Sequence, residues 1–238
     1  MVEYKHNMKK AINSTLRRLS GLVQSSTGSF KRHNNQYLEE GKLEREREAG
    51  LKNIEKDLIN GPEMLVRDLL SNHSEVRTAV DVGSGTGWSA AALSPLVETV
   101  IAIEPSKAAV DISKKIYTLD QYPNITWING FAESTLPTLK LDTPTLFLTG
   151  CVLSHIRDKE VEKICTKITK SAPIGSVLSF AECWGEKEWH QLMWHVRTKT
   201  WWQNNLPGWE LDFHGPEVPE KDTYKGRYNK GIWGVKKN

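Results

Sequence analysis

Long apolar runs are missing from this 238-residue chain: no stretch approaches the ~18 consecutive apolar residues that a membrane-crossing helix needs. No apolar segment follows the polar N-terminal residues, so no secretory leader is expected. Cysteine is scarce. The three present, Cys151, Cys165 and Cys183, include no C-x-x-C pair, and their odd number argues against a disulfide framework. A reducing, cytoplasmic home is the expectation. A strong charge of one sign is missing too, because 32 Lys and Arg against 29 Asp and Glu leave only +3. That balance gives no strong nucleic-acid signal by itself. Nothing repeats internally. What is there, 38% hydrophobic and 26% charged residues, fits a soluble globular enzyme with one α/β core and an appendage.

The most informative stretch is Val80-Asp81-Val82-Gly83-Ser84-Gly85-Thr86-Gly87-Trp88. It reads as a buried strand entering a glycine turn and then a small-residue helix. Without a Cβ, such a turn lets backbone approach a ligand closely. A dinucleotide fingerprint needs G-x-G-x-x-G. Here the glycines run G-x-G-x-G, and Trp88 stands where the last glycine of that fingerprint would be. Glu104 ends the next strand, twenty-one residues after Gly83, where a carboxylate can accept both hydroxyls of a ribose. Its plainer role is to cap the helix that starts at Pro105-Ser106.

Around this motif the chain alternates strand and helix, the pattern of a parallel sheet covered on both faces. Strands are expected at 79–82, 100–103, 125–128, 145–149 and 176–181, with helical segments at 88–94, 106–117, 131–139 and 158–170. Strands at 208–214 and 230–236, with no helix between them, predict a C-terminal antiparallel hairpin. Residues 1–60 read as a helical arm or lid preceding a domain over 61–238. In that arm Met8, Ala11, Ile12, Leu19, Leu22 and Val23 fall at helical spacing beside Lys9, Lys10, Arg17 and Arg18. Such a helix either packs on the domain or makes weak contact with an anionic membrane surface. Ser25–Ser29 reads as a linker. Residues 43–57 read as a solvated helix closed by Gly61-Pro62, and 63–70 as a second one.

The glycine turn, the acidic Asp81 and the strand-end Glu104 together resemble motif I and its ribose-binding acid in class I S-adenosylmethionine (SAM) dependent methyltransferases. The resemblance covers residues 61–182 by motif and extends to 238 by strand order. It implies a Rossmann-like seven-stranded sheet and SAM as cofactor. Asp81 would help position the methionine end, Gly83, Ser84 and Gly85 would offer backbone contacts, and Glu104 would hold the ribose. Thr149, ending the fourth strand, joins the expected cofactor contacts. Asn129-Gly130-Phe131-Ala132-Glu133 matches the family's adenine loop, except that Phe131 replaces the usual aspartate. Phe131 would then stack near the base, with the Ala132 N–H reaching the ring and the adenine amine left to Glu133 or to water.

Ligands of open α/β sheets lie beyond the carboxyl ends of the strands. There, Leu153-Ser154-His155-Ile156-Arg157-Asp158 resembles a pattern seen in small-molecule methyltransferases. Elements that resemble base-modifying, arginine-modifying or Mg²⁺-dependent members are absent, so no metal is expected. An alcohol acceptor needs a base, and an imidazole takes a proton near neutrality. His155 is the first candidate and Glu182, ending strand five, the second; each could instead only brace a loop or cap a helix.

Seven of the nine tryptophans follow residue 183, marking a specialised insertion at about 183–207. Treated as a helix, it carries a packing stripe of Trp189, Leu192, Met193, Val196 and Thr200. His190, Trp194, Arg197 and Trp201 form a neighbouring face, read either as a solvated edge or as an acceptor pocket suited to sugars. The leading expectation is methyl transfer to a small polar acceptor, an oxygen of a sugar or glycan precursor. The alternatives are N-methylation of a small amine and a SAM-binding regulatory protein without turnover. The sequence leaves the oligomeric state open.

Overall fold

A computed structural model describes residues 35–61, 64–185, 188–191, 194–214 and 231–238. The basic arm helix and the serine-rich linker expected before residue 34 lie outside the described residues. Strand β1 (Thr78–Val82) is buried along nearly its whole length and pairs in parallel with β2 (Thr99–Glu104) and β4 (Thr145–Gly150). Strand β3 (Ile125–Asn129) extends β2, and β5 (Val177–Ala181) extends β4, all in parallel. Three short strands follow, β6 (Trp184–Gly185), β7 (Trp189–Gln191) and β8 (Trp194–Thr198). The last two, β9 (Trp209–His214) and β10 (Gly231–Lys236), form the expected antiparallel hairpin on β5. The main sheet has seven strands in the order β3-β2-β1-β4-β5-β10-β9, the Rossmann-like arrangement expected from the sequence. Strand order reverses between β1 and β4, which opens a crevice at their carboxyl ends.

Period-two alternation splits the core between the two faces. Ala79 on β1 joins Ala102, Leu146 and Leu148 on one face, covered by the helices α1 (Lys42–Glu55), α2 (Val66–Asn72), α3 (Trp88–Leu93) and α4 (Lys107–Ile116). Val80 and Val82 join Ile103, Phe147 and Phe180 on the other, under α5 (Ala132–Thr135), α6 (Asp158–Ser171) and α7 (Lys199–Asn205). In α6 the buried Val161, Ile164, Cys165 and Ile168 recur at i, i+3, i+4 and i+7, the stripe of an amphipathic helix. Helix α1 is not merely solvated, because Leu43 and Ile54 pack against the first cluster. It ends at Glu55, before the Gly61-Pro62 stop, because Asp57 takes a left-handed φ of 52° and a 3-10 turn follows. No helix among the described residues is long and apolar enough to cross a membrane.

The tryptophan-rich insertion departs from the helical expectation. Strands β6, β8 and β7 form a separate small sheet, with Trp184 opposite Arg197, and His190 opposite His195. Aromatic and β-branched residues favour a pleated strand, and across 194–198 they alternate with polar ones. Helix starts only at Lys199, where the Thr198 hydroxyl caps it by accepting the Trp201 N–H at 3.0 Å. Positions 194 and 197, three apart in a strand, fall on opposite faces, so the single face of four residues does not exist.

Candidate active site

Three glycines shape the turn after β1, each at positive φ: Gly83 at 76°, Gly85 at 54° and Gly87 at 89°. A Cβ on Gly83 would stand 2.6 Å from Val152 Cγ1, and one on Gly87 would stand 2.4 Å from Trp127 Cη2. The first clash shows that the β4–α6 loop packs directly on the glycine turn. At Gly85 such a Cβ would make only an ordinary contact, with Tyr37 Oη at 3.8 Å. The Gly83 and Ser84 N–H groups both donate to the Ile103 carbonyl, fixing the turn to β2.

Glu104 lies at the end of β2, 2% exposed. Its Oε2 accepts the Gly85 N–H at 3.1 Å and its Oε1 the Ser106 N–H at 2.8 Å. Glu104 thus holds both the N-cap residue of the next helix and the glycine turn. Its carbonyl accepts from Gly130 N and Asn129 Nδ2, which ties the Phe131–Ala132 loop to the same corner. Phe131 is 47% exposed and Ala132 is buried.

Asp81 is buried beneath the turn and accepts the Ser89 hydroxyl at 2.6 Å. Burial raises its pKa from 3.8 to about 7; the Ser89 hydrogen bond opposes this, and the Glu104 charge adds to it. In the folded chain the protonated form is thus favoured, and ionising it costs stability progressively as pH rises from about 4 through about 7. Two hydroxyls in this corner, Ser84 Oγ and Thr149 Oγ1, are buried with no hydrogen-bond partner. Buried orphans of this kind fit a site that a polar ligand completes. The donors, the paired acids and the close-approach glycine turn suit a cationic nucleoside such as SAM. Asp81, Gly83, Ser84, Gly85, Glu104, Phe131, Ala132 and Thr149 could hold it, and all lie at the carboxyl ends of β1–β4.

His155 is exposed in the 3-10 turn Leu153–His155 between β4 and α6, at the same end of the sheet. Glu182 directly follows β5 and is buried; its carboxylate accepts four hydrogen bonds from that turn. Arg197 on β8 is fully buried and paired with Asp158 at 2.9 Å, its guanidinium 4.9 Å from the Trp201 ring. The backbone of His190 and Trp194 belongs to β7 and β8; their side chains lie outside the described residues.

Sequence reasoning missed the segment that crosses the turn from the N-terminal side. Glu46 of α1 accepts the Thr86 hydroxyl at 2.7 Å and pairs with Lys42 at 2.7 Å. Lys42 in turn lies 5.4 Å from the Tyr37 ring centre. Burial, and then the charges of Glu104 and Glu46, hold the Tyr37 phenol above its ordinary range, so it stays a donor at neutral pH. A lone tyrosine in an otherwise polar stretch was the available signal.

Residues 79–172 match the methyltransferase-domain family. No curated protein matches the sequence. Among solved structures, a SAM-bound amino pentose methyltransferase from Micromonospora echinaspora is similar at 10% identity, with a TM-score of 0.54 over 72% of this chain and 88% of that one. A glycopeptide N-methyltransferase is similar at 11% identity and a TM-score of 0.54, over 77% of this chain and 99% of that one. An rRNA methylase from Streptococcus thermophilus is similar at 14% identity and a TM-score of 0.52, over 74% of this chain and 97% of that one. At such identities the likeness establishes the fold. The family match adds that residues 79–172, glycine turn included, form a methyltransferase domain on a fold shared with a SAM-bound methyltransferase.

Proposed function

We propose that this enzyme methylates an oxygen of a small polar acceptor, of the sugar or glycan-precursor class, with His155 as the base. SAM supplies a methyl carbon already activated by its sulfonium. Orienting the acceptor oxygen in line with that carbon and excluding water are tasks for the protein. An alcohol gives up its proton as the new bond forms, and an imidazole can take it. The observation that carries this reading is the exposed His155 on a turn whose Val152 packs against Gly83. Solved relatives that act on an amino pentose and a glycopeptide support the acceptor class. The glycopeptide relative also supports a second reading, in which an amine is methylated and needs less help from a base. Assaying methyl transfer to a panel of sugars, nucleotide-sugars and amines separates the readings: oxygen products sustain the first, and products on nitrogen alone overturn it.

Two expectations follow for the cofactor corner. A cationic ligand binds the ionised form of Asp81 better, so SAM affinity should rise as pH passes up through about 7, with protons released on binding. Calorimetry in buffers of different ionisation enthalpy measures that release; zero protons near pH 6.5 would remove Asp81 from the site. Tyr37→Phe should weaken SAM binding several-fold, on the scale of one hydrogen bond of ~1 kcal/mol. Unchanged affinity in that variant would leave Tyr37 a packing residue.

A further inference from the structure

Every backbone N–H from Val152 to Ile156 has a partner: the buried Glu182 carboxylate accepts three of them, while the buried Arg197 guanidinium donates to two of the segment's carbonyls. On one side Glu182 Oε1 accepts Val152 N at 2.8 Å and Leu153 N at 2.9 Å. Its Oε2 accepts Ser154 N at 2.8 Å and Ser154 Oγ at 2.7 Å. On the other side Arg197 donates through Nη1 to Leu153 O at 2.9 Å and through Nη2 to Ile156 O at 2.6 Å. Its Nε reaches Asp158 Oδ1 at 2.9 Å, which adds the start of α6. The two remaining amides close within the turn, His155 N to Val152 O at 3.1 Å and Ile156 N to Leu153 O at 3.2 Å.

A turn this short rarely needs an anion under its donors and a cation under its acceptors. Buried carboxylates and guanidinium groups are costly unless fully hydrogen-bonded, and here their bonds converge on residues 152–158. The residue bracketed by the grip, His155, is the exposed one, while Leu153 and Ser154 are buried. A base must sit within hydrogen-bond reach of its proton, and small displacements of such a group are expensive in rate. Glu182 has spent both oxygens on the turn, and Arg197 has no exposed surface to offer an acceptor.

We infer that Glu182 and Arg197 are positioning residues: together they clamp the turn that carries His155, and neither takes the acceptor's proton nor binds the acceptor. Because Arg197 belongs to β8, the clamp also ties the tryptophan-rich insertion to the His155 turn. The inference rests on His155 as the base, so its test has one arm that needs no acceptor.

That arm is amide hydrogen exchange of the full chain saturated with S-adenosylhomocysteine, comparing wild type with Glu182→Gln and Arg197→Lys. Gln keeps one acceptor and places an NH₂ against N–H donors; Lys keeps the charge and loses the fork. The amides of 152–154 should exchange at least about tenfold faster in Glu182→Gln, and those of 153–156 faster in Arg197→Lys. Exchange at 83–87 and S-adenosylhomocysteine affinity should stay unchanged. Turn amides as protected in both variants as in wild type overturn the clamp. Should Arg197→Lys fail to fold, Asp158→Asn loosens the same grip from its half-exposed end and carries the same expectation.

The second arm uses whichever acceptor the panel yields. Glu182→Gln and Arg197→Lys should lower kcat about tenfold or more with acceptor KM within about twofold, and the double variant His155→Ala/Glu182→Gln should be no slower than His155→Ala. A raised KM at unchanged kcat in Arg197→Lys would make it an acceptor contact. Multiplying losses in the double variant would give Glu182 a catalytic part of its own. If no acceptor is turned over, the oxygen-acceptor reading falls while the exchange result still decides the clamp.

Discussion

Arg197→Ala should cost this enzyme about 3–5 kcal/mol of stability, the scale of removing one partner from a buried ion pair. The guanidinium is fully buried, and its loss takes a donor from the Leu153 and Ile156 carbonyls, removes the ion pair with Asp158 and empties a space beside Trp201 and Trp202. For a domain of this size that is a fall in melting temperature of roughly 10 °C. Chemical denaturation of the two proteins side by side measures it. A loss below about 1 kcal/mol would mean that water reaches the guanidinium, and the residue would return to the acceptor pocket.

The second large effect belongs to turnover. His155→Ala should retain SAM binding and lose about 10²-fold or more in rate, the usual contribution of a positioned base. The ring is exposed and the turn is held through main-chain groups, so trimming the side chain leaves the turn's hydrogen bonds in place. Near-normal turnover would mean that transfer runs on alignment alone, and an amine acceptor would then fit better.

How much of this was legible in the chain depends on the range of the interactions involved. The glycine turn could be read because its determinants are local: an apolar strand, then three glycines at positions that need positive φ. Glu104 could be read because the strand that carries it ends where the turn's neighbour must end. The α6 stripe was plain because it packs on one face. The insertion misled, because His190, Trp194, Arg197 and Trp201 fall three or four residues apart and satisfy a helical period, whereas pairing of 194–198 with 184–185 and 189–191 is decided between segments. Glu182 and Arg197 were singled out as chemistry-bearing charges. Their partners lie 28 to 44 residues away in sequence, so nothing local showed that their bonds were already spent. Tyr37 and Glu46 stayed hidden for the same reason, since the contact with Thr86 spans 40 residues.

The central claim is that the corner formed by the glycine turn and Glu104 holds SAM. Titration calorimetry of S-adenosylhomocysteine into wild type and Glu104→Ala tests it most directly. Loss of the bonds to a ribose diol should weaken binding at least about tenfold, equivalent to ~1.5–3 kcal/mol, from a one-to-one complex in the wild type. Equal affinity in the two proteins, or tight binding of NAD in place of S-adenosylhomocysteine, would contradict it.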